Sequence, residues 1–461
     1  MERIEKDTLG EVRVPENAYW GAQTQRALEN FQISNLKFPK SFIKALAYVK
    51  LACLEVNYEL GKIPQNFYNA IKQAINEIIE GKFDDQFPLD IFQTGSATST
   101  NMNINEVIST RANEILTGKR ITKEPIHPND HVNMGQSSND VIPTAMNVSA
   151  YYETKYKLIP SIEHLYQIII KKSLELKDII KTGRTHLMDA MPVSFEQELS
   201  GWATQILYAK HRIESTFIRL RELAIGGTAV GTGINTHPNF GKKVAEKLSQ
   251  LLNLDFIEAN NHFEAQSSRD SILELSSALK ILATNLIKIS NDLRLMNSGP
   301  IAGFSEIILP ELQPGSSIMP GKVNPVIPEA VRMVGVQVIA NDLAITISNS
   351  LGEFELNVMM PIMIYNILNS IEILTNACRI LADKCIKDFI VNKEHVEELL
   401  YRNPIIATIL NPIIGYDKSA EVVKRALKEK RSVKEIVVEM GYLSKEEAEK
   451  IFDLNKLIKP Q

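Results

Sequence analysis

Between Gly241 and Gly299 the chain contains neither glycine nor proline, and this uninterrupted stretch limits the fold more than any other feature. Within it, the segment 264–297, EAQSSRDSILELSSALKILATNLIKISNDLRLMN, sets Ile272, Leu275, Leu279, Leu282, Leu286, Ile289 and Leu293 at three- and four-residue intervals. That spacing predicts one continuous amphipathic helix, roughly 40–50 Å long at 1.5 Å per residue. Similar runs at about 143–180, 190–223, 328–350 and 362–390 predict an elongated bundle of long helices. Several of them, VRMVGVQVIANDLAITI for instance, are apolar around more than one face. Partner subunits are expected to cover that surface. Upstream, SFIKALAYVKLACLEVNYEL reads as a helix ended by Gly61, and a second covers about 67–80. The rest of the first 140 residues reads as short helices and loops, and the tail from about 395 as a small helical unit. Strand-like alternation is scarce, so the expected fold is mostly α.

Composition narrows the function. A net charge of −4 over 461 residues gives no basic excess for a nucleic-acid surface. Cys53, Cys378 and Cys385 are too few and too scattered for a disulfide framework and read as buried thiols in a reducing compartment. The opening MERIEKDTLGEV is charged and has no apolar core of the signal-peptide kind. No apolar run is expected to reach the roughly 18 residues that span a membrane. A cytoplasmic protein without a membrane partner is expected.

Four polar segments interrupt the helices: QTGSATSTNMNINEV (93–107), HPNDHVNMGQSSND (127–140), GRTHLMDA (183–190) and PELQPGSSIMPGKVNPVIPEA (310–330). One such cluster alone is a helix cap or a turn. Four together, one holding Lys322 and two holding histidines, carry hydroxyl, amide and backbone N–H donors suited to carboxylates. His186 adds a group that can move a proton near neutral pH. No metal-ligand spacing such as HExxH occurs, so metal chemistry is not expected. GSSIMPGKV is not a phosphate loop, because five residues separate its glycines and Val323 follows the lysine. GGTAVGTGIN lacks the G-x-G-x-x-G order of a dinucleotide loop. The residues fit an anionic small molecule bound without a cofactor.

The eleven residues GSSIMPGKVNP resemble the signature of the aspartase/fumarase superfamily. YWGAQTQRALENF, FQTGSATSTNMNINEV, HPNDHVNMGQSSND, GRTHLMDAMPVS, GGTAVGTGIN and GEFELNV are similar to blocks of class II fumarases. The resemblance implies a three-part, mostly α fold. Residues 1–139 would carry substrate-binding loops, 140–394 a central five-helix bundle with the signature loop 315–325, and 395–461 a small α domain. It implies a homotetramer with a shared helical core and active sites shared between subunits. It also implies the reversible hydration of fumarate to (S)-malate, a step of the tricarboxylic acid cycle, without metal or redox cofactor.

Carried over residue by residue, the likeness makes Ser316 the general base. Lys322 and Asn324 would bind the carboxylate on which charge develops. Thr98, Ser137, Ser138, Asn139 and Thr185 would be further substrate contacts. His186, paired with Glu329, would help protonate the leaving hydroxyl through water. His127, Asn129 and Asp130 match a second carboxylate site, while His131 reads as structural. Ala97, Glu196, Arg269 and Ile413 stand where glycine, glycine, histidine and histidine are usual, and Glu124 lies near a usual basic position. None of these is a residue assigned to the chemistry. The superfamily's aspartases, which eliminate ammonia from aspartate, are the near alternative: NPVIPEA and LTNACRILADKC resemble theirs, whereas His127, QSSND and QTGSATSTNMN resemble fumarases. A catalytically silent binding homologue is the alternative of another class, and the presence of Ser316 and Lys322 argues against it.

Overall fold

The glycine- and proline-free stretch forms the helix Asp270–Met296 in the computed structural model, which describes residues 2–460. At 27 residues it is about 40 Å long. The other long helical runs are Ser138–Glu153 continuing through Thr154–Leu158 into Ile159–Glu175, then Phe195–Ser215, Val326–Asn349, and Met360–Leu381 continuing to Ile386. The fold is therefore mostly α, as the periodicity predicts. The run expected from 190 starts later, because residues 188–194 pair as a strand that includes Pro192. The chain divides into two compact units, Met1–Pro160 with Ala209–Ala283 and Val336–Thr375, and Ser161–Tyr208 with Thr284–Gly335 and Asn376–Gln461.

In the first unit two further helices reach 20 residues each: Lys40–Glu59, where a helix ended by Gly61 is expected, and Thr98–Thr117, longer than the short helices expected there. The second replaces much of the loop expected over 93–107. Ser, Thr and Asn are weak helix formers because they bond locally to backbone, but here Asn103 donates its amide to the Gln86 carbonyl and Asn101 and Asn105 donate theirs to Asn133 Oδ1. Glu106, buried in this helix, accepts the N–H groups of Gly21, Gln23 and Thr24 at 2.9–3.1 Å and the Thr24 hydroxyl at 2.6 Å. It thereby caps the helix Ala22–Asn30, whose own N-cap, Gly21, has no side chain to do so.

The N-terminal strands Glu2–Asp7 and Gly10–Pro15 form an antiparallel hairpin with Glu2 opposite Pro15. No strand was read there: Glu2–Asp7 turns the charged Arg3, Glu5 and Asp7 inward, and only the short Gly10–Pro15 turns apolar residues, Val12 and the fully buried Val14, to the inside. Arg3 donates to the carbonyls of Pro15, Ala18 and Trp20, Asp7 pairs with Arg26, and Ile4 faces solvent.

Polar side chains also join the long helices of this unit. Asp342 accepts from Ser276 Oγ at 2.8 Å and Lys280 Nζ at 2.5 Å, and Asn341 Nδ2 donates to Asn369 and Ser370 at 3.0 Å each. These bonds lie on the face of Val326–Asn349 that also buries Val338 and Ile345. On its other face Val336, Ala340, Leu343 and Ile347 are exposed at alternating spacings of four, three and four residues, the pattern of a helix–helix seam. By length and composition this helix could cross a membrane, one 18-residue window having a mean hydropathy of 1.4, yet Glu329, Arg332 and Asp342 interrupt it and no unbroken apolar run reaches that length, as expected. Its polar groups spread round the helix and dilute the apolar run in the linear sequence.

In the second unit, strands Ile180–Thr185 and Met188–Ser194 form a hairpin. Lys181 and Arg184 pin its stem to the buried Glu306 at 2.8 and 2.7 Å. Trp202 Nε1 donates to Asp292 at 3.1 Å, tying Phe195–Ser215 to Asp270–Met296. The C-terminal helices close on an apolar core of Leu410, Val422, Val433, Ile436, Val437 and Phe452.

Candidate active site

Two helix N-termini meet in the first unit. Thr98 opens Thr98–Thr117 and Ser138 opens Ser138–Glu153, and their hydroxyls bond at 2.7 Å. The Thr98 hydroxyl also lies 2.8 Å from Ser96 Oγ. Thr100 N–H is taken by Gln93 Oε1 and Asn139 N–H by Ser137 Oγ, which leaves the first N–H groups, those of Thr98, Ser99 and Ser138, at the positive ends of the two helix dipoles. The pair therefore offers a carboxylate two converging donor sets and hydroxyls that can donate or accept. Asn139 sits one residue further on and is turned by its Nδ2 donation to the Ala229 carbonyl at 2.8 Å.

What fixes Ser137–Asn139 is Asp140, a residue the sequence reading did not single out. Ser137 caps the helix and Asp140 returns the bond, accepting the Ser137 N–H at 2.9 Å. The same carboxylate accepts the N–H groups of Gly226 and Thr228 at 3.0 and 2.9 Å, so it ties this turn to the GGTAVGTGIN segment. Burial raises Asp140 to about 6, against the pull of its backbone donors and of Lys50, and it is ionised at neutral pH. The S-x-x-D spacing was the available signal. The 133–136 turn has its own hub: Asn133 Oδ1 accepts from Lys50 Nζ at 3.0 Å and from Asn101 and Asn105 at 3.2 Å. Burial pushes the Lys50 ammonium down to about 7.

His127, Asn129 and Asp130 also lie together in this unit. The His127 ring accepts the N–H groups of Asn129 and Asp130 through Nδ1, at 3.2 and 3.4 Å, and burial lowers its proton affinity. Nε2 is then the position that can carry the proton. His131 accepts the His127 N–H at 2.8 Å and packs edge-on to Phe67.

The second unit holds the remaining candidates. His186 and Leu187 form the two-residue tip of the hairpin, both with positive φ, 56° and 60°. Non-glycine residues seldom adopt such angles, and here they expose Thr185 and His186 to solvent. Glu329 lies in the first turn of Val326–Asn349. Among the described residues it makes no hydrogen bond or ion pair with His186.

The signature loop closes on itself. Gly315 N–H donates to the Lys322 carbonyl at 2.7 Å, and Asn324 Nδ2 donates to the Gly315 carbonyl at 2.6 Å. A β-carbon at Gly315 would stand 2.5 Å from the Lys322 oxygen, so only glycine fits. Within the loop, Ser316 Oγ accepts the N–H groups of Ile318 and Met319 at 3.2 and 3.0 Å. Two such donors favour the oxyanion form of a hydroxyl. Lys322 instead donates to Asn324 Oδ1 at 2.9 Å, presenting cation and carboxamide side by side. No group of three metal-ligating side chains occurs among the described residues.

Comparison with known proteins follows this geometry. The Lyase family matches residues 10–340, and the family described as Fumarase C C-terminus matches residues 406–459. The class II fumarate hydratase of Xylella fastidiosa (strain 9a5c) is 52% identical over 98% of this chain and 94% of its own. That of Campylobacter jejuni is 49% identical over 100% of this chain and 99% of its own. The crystal structure of class II fumarase from Schistosoma mansoni superposes with a TM-score of 0.97 at 41% identity, covering all of both chains.

If Asp140 holds the Ser137–Asn139 turn as its bonds indicate, Asp140→Asn puts an amide N–H against backbone N–H groups. We expect it to lower folding stability by about 1–3 kcal/mol at neutral pH, read from denaturant melts, and to weaken substrate binding. Unchanged stability would contradict the role given to this carboxylate.

Proposed function

We propose, from a chain that belongs to the Lyase family and carries the fumarase C-terminal segment, that it interconverts fumarate and (S)-malate. It is a hydro-lyase of the class II fumarate hydratase type, and a tricarboxylic acid cycle role accords with that. The observation that carries the mechanism is the pair of N–H groups on Ser316 Oγ. Stabilised as an oxyanion, Ser316 removes a proton from the malate carbon next to a carboxylate. The electron pair moves into that carboxylate as an aci-carboxylate, held by Lys322 and Asn324, whose bonds strengthen as charge accumulates. Collapse of this intermediate forms the double bond and expels the hydroxyl as water, protonated through a water from His186. Hydration runs the same steps in reverse. Thr98, Ser138 and Asn139 hold a carboxylate at the paired helix starts, with Ser137 and Thr185 as further contacts. His127, Asn129 and Asp130 form a second carboxylate position.

The assembly is read as a homotetramer in which different copies bring groups to one substrate, and Glu329 meets His186 on that reading. Its support is the exposed seam of Val326–Asn349, where Leu343 is 60% and Val336 64% exposed. Burying each such side chain is worth about 1.5–3 kcal/mol, a strong drive to self-association. Functionally, residues 1–139 supply binding loops, 140–394 the assembly helices and signature loop, and 395–461 a small C-terminal part. The three buried free thiols suit a cytoplasmic setting.

Mixing the protein separately with malate and with aspartate, and following fumarate's ultraviolet absorbance, tests the activity. Fumarate should form from malate and not from aspartate; formation from aspartate alone would assign the chain to the ammonia-lyase reaction instead. Leu343→Glu should reduce the assembled mass measured by light scattering and lower activity with it. A fully assembled Leu343→Glu protein would remove the seam from the interface.

A further inference from the structure

Away from these residues, a cavity of about 240 Å³ opens in the first unit, beside the start of helix Asp270–Met296. Its lining includes Arg269, Glu222, Glu264 and Asn147, none of which the proposed reaction uses. Arg269 is only 4% exposed, and its Nε is buried without a hydrogen-bond partner. The charges of Glu264 and Asp270 reach its guanidinium through space, while burial works against the cation. Among the described residues no ion pair forms at Arg269. A buried, charged and incompletely bonded guanidinium is costly unless an anion completes it.

The neighbours restrict what that anion can be. Arg219 is already engaged by Glu274. Asp270 accepts from Asn349 Nδ2 at 2.7 Å, and the Arg269 backbone N–H is fixed on Asn349 Oδ1 at 2.8 Å. Asn147 is held between the Glu222 carbonyl and Ser271 Oγ, at 3.0 and 3.2 Å. That leaves one deep cation, backed by the positive end of a 27-residue helix, facing the carboxylates of Glu222 and Glu264. Glu264 lies toward solvent, and neither carboxylate has a bonded partner among the described residues. A dianion would meet repulsion from these two groups. A molecule with negative charge at its inner end and positive charge behind it satisfies both.

We propose that this cavity binds a small zwitterion of the α-amino-acid class, its carboxylate on Arg269 and its ammonium toward Glu222 and Glu264. The site is separate from the fumarate reaction, and its test does not depend on turnover. Calorimetric titration of the full-length protein at neutral pH would use glycine and L-alanine as probes, with acetate, methylammonium and malate as controls. Saturable binding of glycine or alanine is expected, with acetate and methylammonium each at least about tenfold weaker, the equivalent of one charge-assisted bond. Arg269→Met should weaken amino-acid binding by roughly tenfold or more. Glu264→Gln, at an exposed position that tolerates change, should weaken it while leaving acetate binding equal or tighter, because a like charge is removed. The proposal fails if neither amino acid gives saturable heat, if acetate or malate binds as tightly as glycine, or if both variants bind glycine like the wild type.

Discussion

Asp140 lies fully inside the protein and accepts backbone N–H groups from Ser137, Gly226 and Thr228. Each bond to an ionised carboxylate is worth more than a neutral one, and losing any would leave a buried donor unpaired. The position of Ser137, Ser138 and Asn139 follows from this one group, because it fixes both the helix start and the facing glycine-rich turn. Thr98 is held in turn, since its hydroxyl bonds to Ser138. The many exposed ion pairs elsewhere, such as Arg402 with Glu398, contribute at most about 1 kcal/mol each and organise nothing comparable.

Both halves of the candidate chemistry use the same device, backbone N–H groups aimed at negative charge. In the first unit they come from two helix starts, suited to a resident carboxylate. In the second they come from the Ile318 and Met319 amides, suited to an alkoxide that exists only during the reaction. Fixed dipoles of this kind need no reorganisation when charge appears, and Gly315 serves the same loop separately, by letting its backbone close on the Lys322 carbonyl. His186, by contrast, is placed by strain: two positive-φ residues at a hairpin tip whose stem is locked by Lys181, Arg184 and Glu306.

The long helices were legible because helical periodicity survives in any stretch free of glycine and proline, as 270–296 shows. The polar loops were legible as clusters, and the family likeness named Ser316, Lys322 and Asn324. Three features were hidden for identifiable reasons. The first strand of the N-terminal hairpin turns Arg3, Glu5 and Asp7 inward, so apolar alternation is confined to Val12 and Val14 of its short partner and gave little sign of the pair. Thr98–Thr117 forms despite weak propensity because its asparagine amides bond to distant groups, Asn101 and Asn105 to Asn133 Oδ1 and Asn103 to the Gln86 carbonyl, and not to their own backbone. Arg269 reads as a simple departure from an expected histidine, and only the cavity beside it shows a charge left incomplete.

The central claim is that Ser316 moves the proton. Incubating malate with the protein in heavy water and following loss of the proton next to the carboxylate by nuclear magnetic resonance tests it directly. Ser316→Ala should slow that exchange by roughly 10²–10⁴-fold, with melting temperature and assembled mass unchanged. Exchange at the wild-type rate in a folded, fully assembled Ser316→Ala protein would contradict it.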